Sequence, residues 1–179
     1  MPPITLNVNG LNAPIKKHRI AQWIRKNDPH ICCLQETHLR AEDLHRRTVK
    51  GWKQIFQENG QGEKNRGSNT HIRQNRLQKK AIKRDPESHF IILKGRIHQE
   101  DINIANIYAP NIGAPKYLKK ILEEFKKDID SNTIIVGDFN TPLSKMDRSS
   151  KQNINKDIVE LNNALDEIDL TNIYIEPLI

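Results

Sequence analysis

The sequence predicts a layered α/β domain. Short apolar runs of four to eight residues, several ending in an acid, an amide or a phenol, read as strands. Between them lie stretches with apolar residues at helical spacing and Lys or Glu on the opposite face. The 179 residues carry no repeat and no low-complexity tract, so they make one domain's worth of chain. This mixture of strands and interleaved helices is the pattern of packed α and β layers.

In chain order, Ile4, Leu6 and Val8 alternate with Thr5, Asn7 and Asn9, the period of a half-buried strand over 4–9. Asn is a poor strand former, so two on one face suggest a polar site, although a strand running into the Asn9-Gly10 turn would look the same. Lys17 to Lys26, with Ile20, Trp23 and Ile24, reads as an amphipathic helix after Pro14. A strand over 30–35 follows and leads into Glu36, and another is expected over 52–56. His89 to Leu93 and Asp101 to Tyr108 look like a hairpin joined through Gly95 and Gln99-Glu100, with Pro110 ending the second strand. Pro115 to Asp130 is the clearest helix, placing Leu118, Ile121, Leu122, Phe125 and Ile129 on one face. Thr133 to Val136 is a β-branched buried strand, and Lys156 to Ile168 is a third helix through Ile158, Leu161, Leu165 and Ile168.

The tetrapeptide Gly137-Asp138-Phe139-Asn140 is the most informative single feature. An acid and an amide two residues apart at a strand end point the same way off the pleat, and such oxygens suit a hard cation and a phosphate. Asp and Asn after a strand are also ordinary turn residues. Together, however, Asn7, Glu36, Tyr108, Asp138 and Asn140 would make a convergent polar site at one sheet edge. The chemistry that fits is phosphodiester hydrolysis. Glu36 would hold Mg²⁺ against a phosphate oxygen and Asp138 would orient or deprotonate the attacking water. Asn7, Asn140 and Tyr108 would contact the phosphate as charge builds.

Four ordered motifs carry a resemblance: Thr5-Leu6-Asn7-Val8-Asn9-Gly10-Leu11, Leu34-Gln35-Glu36-Thr37-His38, Asn106-Ile107-Tyr108-Ala109-Pro110-Asn111 and Gly137-Asp138-Phe139-Asn140-Thr141-Pro142-Leu143. They resemble the exonuclease III / apurinic-endonuclease-like superfamily of endonucleases, exonucleases and phosphatases. The likeness is greatest to the endonuclease domain of mammalian long interspersed (non-LTR) retrotransposon polyproteins. It covers almost all of the chain, with Lys83-Arg84-Asp85 and Asp147-Arg148 adding to it. It implies a four-layered sandwich, two packed sheets with helices outside. It also implies Tyr108, Asp138 and Asn140 as catalytic residues, Asn7, Glu36, Asp138 and Asn140 around Mg²⁺ (with Mn²⁺ as a substitute), and Asn111 and Arg148 on DNA.

The chain departs from that family twice. The family's site is completed by an Asp beside the phosphate and by a terminal Ser-Asp-His, and no Ser-Asp-His occurs in this sequence, which ends at Ile179. The expectation is therefore a truncated copy, incomplete at its C-terminus, with weak or no activity. The second departure is the segment 61–80, where an apolar strand of the type A-G-V-A-I-L-I-S-D-K is replaced by Arg66-Gly67-Ser68-Asn69-Thr70-His71-Ile72-Arg73-Gln74-Asn75-Arg76-Leu77. The fold is expected to be disrupted near 63–80, with this anomalous basic segment out of frame or disordered.

Charge points the same way. Glu63 to Arg84 carries eight Lys/Arg and one acid, which accounts for the whole net charge of +7. The basicity that would suggest a nucleic-acid partner thus comes from the anomalous segment, read here as a solvated loop ahead of an evolved DNA-binding arm. Cys32 and Cys33 are adjacent on a strand and should face opposite ways, as structural thiols of a reducing compartment. No disulfide-linked partner, membrane span or targeting signal is expected, so the location is intracellular, nucleus or cytoplasm. Two other functions stay open: a non-catalytic basic protein that holds nucleic acid, and a superfamily phosphatase.

A frame hypothesis explains the altered segment. One coding of Ser68 to Leu77 is AGC AAT ACT CAT ATC AGA CAA AAT AGA CTT; shifted by one base it reads A-I-L-I-S-D-K-I-D, the missing strand. Sequencing the coding DNA is expected to recover an apolar strand in a shifted frame; if no single-base shift does so, the segment is an inserted basic loop instead.

Overall fold

The computed structural model describes residues 4–38, 54–57, 69–72, 77–87, 89–142 and 156–168, with only backbone for 54–57 and 69–72. Two four-stranded sheets pack face to face, one ordered β1-β2-β4-β3 and the other β5-β6-β7-β8. The strands are β1 (Ile4–Asn7), β2 (Ile31–Gln35), β3 (Gln54–Gln57), β4 (Asn69–Ile72), β5 (Leu77–Arg84), β6 (Phe90–Ile97), β7 (Glu100–Tyr108) and β8 (Thr133–Asp138). The helices are α1 (Pro14–Asn27), α2 (Ala114–Phe125) and α3 (Lys156–Glu167).

Each sheet holds one parallel pair, β1 with β2 and β7 with β8, and every other pairing is antiparallel. Parallel neighbours need a crossover, supplied by α1 between β1 and β2 and by α2 between β7 and β8. The alternation of side chains along these strands sorts the layers. Leu6, Val8, Cys32 and Leu34 face outward and bury Ile24 of α1, with Ile20 and Trp23 beside it. Ile31, Cys33, Ile104 and Val136 face inward and meet between the sheets, joined by Ile134. Ala105, Ile107, Phe139 and Phe90 cover the other outer face and pack on Leu118, Ile121, Leu122 and Phe125 of α2 and Leu161 of α3. The order is helix, sheet, sheet, helices, the four-layered sandwich that the resemblance implied. Cys32 and Cys33 face opposite ways, as their adjacency predicts, and neither is in a disulfide.

Several boundaries differ from the sequence reading. α1 starts earlier, with Pro14 in the first turn, where its missing N–H costs nothing. The hairpin of β6 and β7 turns at His98-Gln99, both with positive φ, and Gly95 lies inside β6. A β-carbon at Gly95 would collide with Leu77 and the Gln78 carbonyl, so glycine is there for close approach rather than for a turn. α2 ends at Phe125, but the turn after it still packs Ile129 against the core.

Two strands lie inside or beside the segment expected to be disrupted. β4 pairs with both β2 and β3, and β5 pairs with β6 along its whole length. The loss of the apolar pattern does not abolish the strand, because ladder hydrogen bonds come from the main chain. β5 hides from a pattern search for a further reason. A register shift between Lys79 and Ala81 breaks its period of two, so that Leu77 and Ile82 reach the same small cluster with Ile91 and Leu93. Its lysines are spread over the edge: Lys80 pairs with Asp101, and Lys83 pairs with Glu124 while lying 4.1 Å above the Phe125 ring. Of the anomalous segment, 61–68 and 73–76 lie outside the described residues.

Two predictions follow from packing and charge. Gly137 has φ 144°, and a β-carbon there would run into the Ile107 carbonyl across the β7–β8 ladder. Gly137→Ala is expected to cost about 2 kcal/mol or more, read as a lower urea midpoint at unchanged slope. Separately, the Arg96 guanidinium and then the Lys80 ammonium hydrogen-bond Asp101 and pull its carboxyl down to about 2. The stabilisation from this exposed cluster is complete above the unfolded Asp value of about 4, and it is lost as pH falls through about 2. A carboxyl-carbon NMR titration should find that low midpoint, and Arg96→Ala should raise it; an ordinary midpoint in the unsubstituted chain contradicts the pairing.

Candidate active site at the carboxyl ends of two parallel pairs

The inner faces of β1, β2, β7 and β8 change character toward their carboxyl ends. The apolar layer of Ile31, Cys33, Ile104 and Val136 gives way to Thr5, Gln35 and Asn106, and then to Asn7, Tyr108 and Asp138. Asn7 and Asp138 meet across the two sheets: the Asn7 Nδ2 donates to Asp138 Oδ2 at 2.6 Å. The Asn7 Oδ1 accepts the backbone N–H of Asn9 at 3.0 Å, which fixes the orientation of this amide. Asn7 therefore turns its donor to the carboxylate and its acceptor to its own loop.

Asp138 ends β8 and does not share a pleat with Asn140. Its Oδ1 accepts the Asn140 backbone N–H at 3.1 Å, a side-chain turn that ends the strand. Asn140 follows with φ 45°, a conformation asparagine tolerates, and its Nδ2 donates to the Ala109 carbonyl at 2.7 Å. Oδ1 of Asn140 is thereby left on the opposite side of the amide. Phe139, between the two, anchors the turn in the core under α2. The turn signal and the site signal in Gly137-Asp138-Phe139-Asn140 are one structure.

Glu36 follows β2 directly and has φ 50°, unusual for a residue other than Gly, Asn or Asp. It is clamped from both sides. Val8 N–H donates to the Gln35 carbonyl, Gly10 to that of Glu36 and Leu11 to that of Thr37, at 3.0, 2.6 and 2.8 Å. These bonds continue the β1–β2 ladder past the strand ends and bring the Asn9-Gly10 turn beside the Glu36-Thr37-His38 turn. Tyr108 pairs with Asp138 in the β7–β8 register. Its ring is buried and stacks on His89 at 6.4 Å between centroids, so it is both a core aromatic and a neighbour of the acid. Asn111 stands exposed in the loop between β7 and α2. Arg148 lies outside the described residues.

Sequence reasoning passed over the residues beneath this edge. Gln35 and Asn106 are among the few buried polar side chains, and Gln35 Nε2 donates to Asn106 Oδ1 at 2.6 Å and to Thr5 Oγ1 at 2.8 Å. The available signal was an amide on the inner parity of β7, between Ile104 and Tyr108, where an aliphatic residue is the default.

Among the described residues no three His, Cys, Asp or Glu side chains form a metal-holding group. The oxygen donors at the edge are two carboxylates and amide oxygens; two imidazoles stand nearby, His38 beside Gly10 and His89 against Tyr108, but they join no group of three with the carboxylates among the described residues. That set fits a hard cation held by one or two carboxylates and otherwise by water and phosphate, the habit of Mg²⁺, and does not fit a zinc site.

Comparisons with known proteins agree with this architecture. The sequence pattern of the Endonuclease/Exonuclease/phosphatase family matches residues 4–172. Among solved structures, an AP endonuclease from Archaeoglobus fulgidus is similar with a TM-score of 0.70 at 20% identity, over 93% of this chain and 70% of that one. The endonuclease domain of TRAS1, a telomere-specific non-LTR retrotransposon, matches with a TM-score of 0.65 at 17% identity, over 93% of this chain and 71% of that one. D. rerio TDP2 complexed with a single strand DNA product matches with a TM-score of 0.60 at 16% identity, covering 78% of this chain and 60% of that one. With the two sheets, the outer helices and the polar edge in place, the match over 4–172 makes this chain a member of the endonuclease/exonuclease/phosphatase family.

Proposed function

We propose that the chain is an endonuclease-type phosphodiesterase domain acting on DNA, of the retrotransposon kind, whose 179 residues by themselves turn over weakly or not at all. The observation that carries this reading is the Asn7–Asp138 hydrogen bond, which joins the ends of both sheets into one polar edge. The four motifs and the similarity to nucleases support the substrate class.

In this reading Glu36 is the carboxylate that holds Mg²⁺. When bound, the ion supplies positive charge at a phosphate oxygen and makes a bound water more acidic. Asp138, steadied by the Asn7 amide and the Asn140 backbone N–H, accepts a proton from the attacking water. The water oxygen bonds to phosphorus, and the bond from phosphorus to the leaving alcohol breaks. Asn140 offers its amide at the phosphate, and Tyr108 sets the inner wall beside Asp138. Asn111 and Arg148 are assigned to DNA contact. Leaving-group protonation has no assigned residue, since these residues hold no Ser-Asp-His. Weak turnover is the expected consequence. The chain is read as the endonuclease domain of a mammalian long interspersed element, acting on DNA in the nucleus or cytoplasm.

No helix among the described residues is long and apolar enough to cross a membrane.

The test is Mg²⁺-dependent nicking of supercoiled plasmid, run beside salt-dependent binding of duplex DNA. Binding that weakens with salt is expected, with slow nicking that Asp138→Ala and Glu36→Ala each reduce by about 10²-fold or more. Nicking that survives both substitutions overturns the site. Binding with no nicking at all means the chain holds nucleic acid without cutting it.

A further inference from the structure

We propose that Gln35 and Asn106 are positioning residues: their buried hydrogen bond sets the separation of the two half-sites, Asn7 and Glu36 on one sheet and Tyr108, Asp138 and Asn140 on the other. The proposal rests on reading this edge as the phosphodiester site.

The geometry is a two-rung ladder between sheets. The outer rung is the Asn7–Asp138 bond at the exposed edge, 2.6 Å long. The inner rung is Gln35 Nε2 to Asn106 Oδ1, also 2.6 Å and fully enclosed, with Gln35 1% and Asn106 0% exposed. Each inner residue precedes a site residue on its own strand. Gln35 is followed by Glu36, and Asn106 shares its face with Tyr108, which pairs with Asp138. The inner rung also reaches the other strand of its sheet, through Gln35 Nε2 to Thr5 Oγ1 on β1, and Asn106 Nδ2 reaches the Leu34 carbonyl at 3.5 Å. Thr5 in turn shares its face with Asn7. The three inner positions Thr5, Gln35 and Asn106, on β1, β2 and β7, are thus tied together below the reacting edge.

Apolar packing alone does not fix this distance. The layer just below, Ile31, Cys33, Ile104 and Val136, is non-directional and tolerates sliding. A hydrogen bond between two buried amides is directional, and each partner left alone is costly, so the pair accepts a single sheet-to-sheet arrangement. Stability does not require it: two aliphatic side chains of similar size would fill the same space. The amides are therefore explained by position rather than by burial.

The experiment uses the full chain, ¹⁵N-labelled, with the Asn7 side-chain amide as reporter. In the unsubstituted chain its Nδ2 resonances should be displaced by the Asp138 carboxylate, with Asp138→Ala as the reference for a lost bond. Gln35→Leu with Asn106→Leu is expected to keep the circular dichroism and a cooperative melt, yet to move the Asn7 signals to that reference. It should also raise the apparent Mg²⁺ dissociation constant about tenfold, the scale of one lost net hydrogen bond. The exchanged pair, Gln35→Asn with Asn106→Gln, keeps both amides and the same number of methylenes, and should restore the signals. If the leucine pair does not fold, Thr5→Val removes one acceptor of Gln35 and should shift the Asn7 signals partway. Asn7 signals unchanged in the leucine pair, or in Thr5→Val where that variant is used, overturn the proposal. An unsubstituted chain with displaced Asn7 signals but no response to Mg²⁺ overturns the metal reading of the site while the amide readout still decides the positioning role.

Discussion

The face-to-face packing of the two sheets is the constraint on which the rest depends. Strand side chains alternate, so every inward residue of β1, β2, β7 and β8 shares a single narrow layer. That layer is apolar at one level, amide-lined at the next and ionisable at its rim. A one-residue slip of any of these strands would turn Asn7, Gln35 or Asp138 outward and put an aliphatic side chain in its place. Register and site are therefore fixed by the same contacts. The pairing of β7 with β8 is tightened further at Gly137, where only a residue without a β-carbon lets the Ile107 carbonyl come so close.

Backbone strain collects at the same rim. Asn9, Gly10, Glu36, His38, Gly137 and Asn140 all have positive φ, and all lie at or just past the carboxyl ends of β1, β2 and β8. Such conformations cost on the order of 1–3 kcal/mol each for residues that disfavour them. Glycine and asparagine lessen the cost at four of the six positions, but Glu36 and His38 have no such allowance. Glu36 is held there because the main chain on either side of it is bonded to the loop after β1. The backbone at Glu36 is thus set by main-chain hydrogen bonds. Asp138 is the contrasting case: it keeps the strand path and is aimed by an amide and a backbone N–H.

Much of this was legible in the sequence, for identifiable reasons. β1, β2, β8, α2 and α3 were legible because burial on one or both faces writes a period or an apolar run into the residues. The polar strand ends were legible because acids and amides are out of place there. β5 was not, since it lies at a sheet edge, carries mostly lysine and arginine, and loses its period at a register shift. β4 was not, since backbone pairing to two neighbours leaves no mark on side-chain type. Gln35 and Asn106 were not, since a buried amide looks like an exposed one until its partner from a distant strand is known. Their separation of 71 residues along the chain is closed only by the packing of the sheets.

That same closure divides the chemistry between the sheets. Glu36 and Asn7 belong to the layer under α1; Asp138, Asn140 and Tyr108 belong to the layer under α2 and α3. In the proposed reading, neither sheet alone holds both the carboxylate that would hold a cation and the carboxylate, braced by Asn7 and the Asn140 N–H, that would take a proton. Activity of this kind therefore depends on the interface between sheets more steeply than stability does. The outer cores around Ile24 and around Phe125 lie on the opposite faces of the two sheets and hold each sheet to its own helices. A change confined to the inner layer can leave both outer cores intact and still separate the two carboxylates. The excess positive charge of the chain lies elsewhere, on the segment up to Arg84, and where that segment is described as β5 its Lys80 and Lys83 are already engaged by Asp101 and Glu124. In the proposed reading, the residues that would align a phosphate are therefore not those that carry the excess charge.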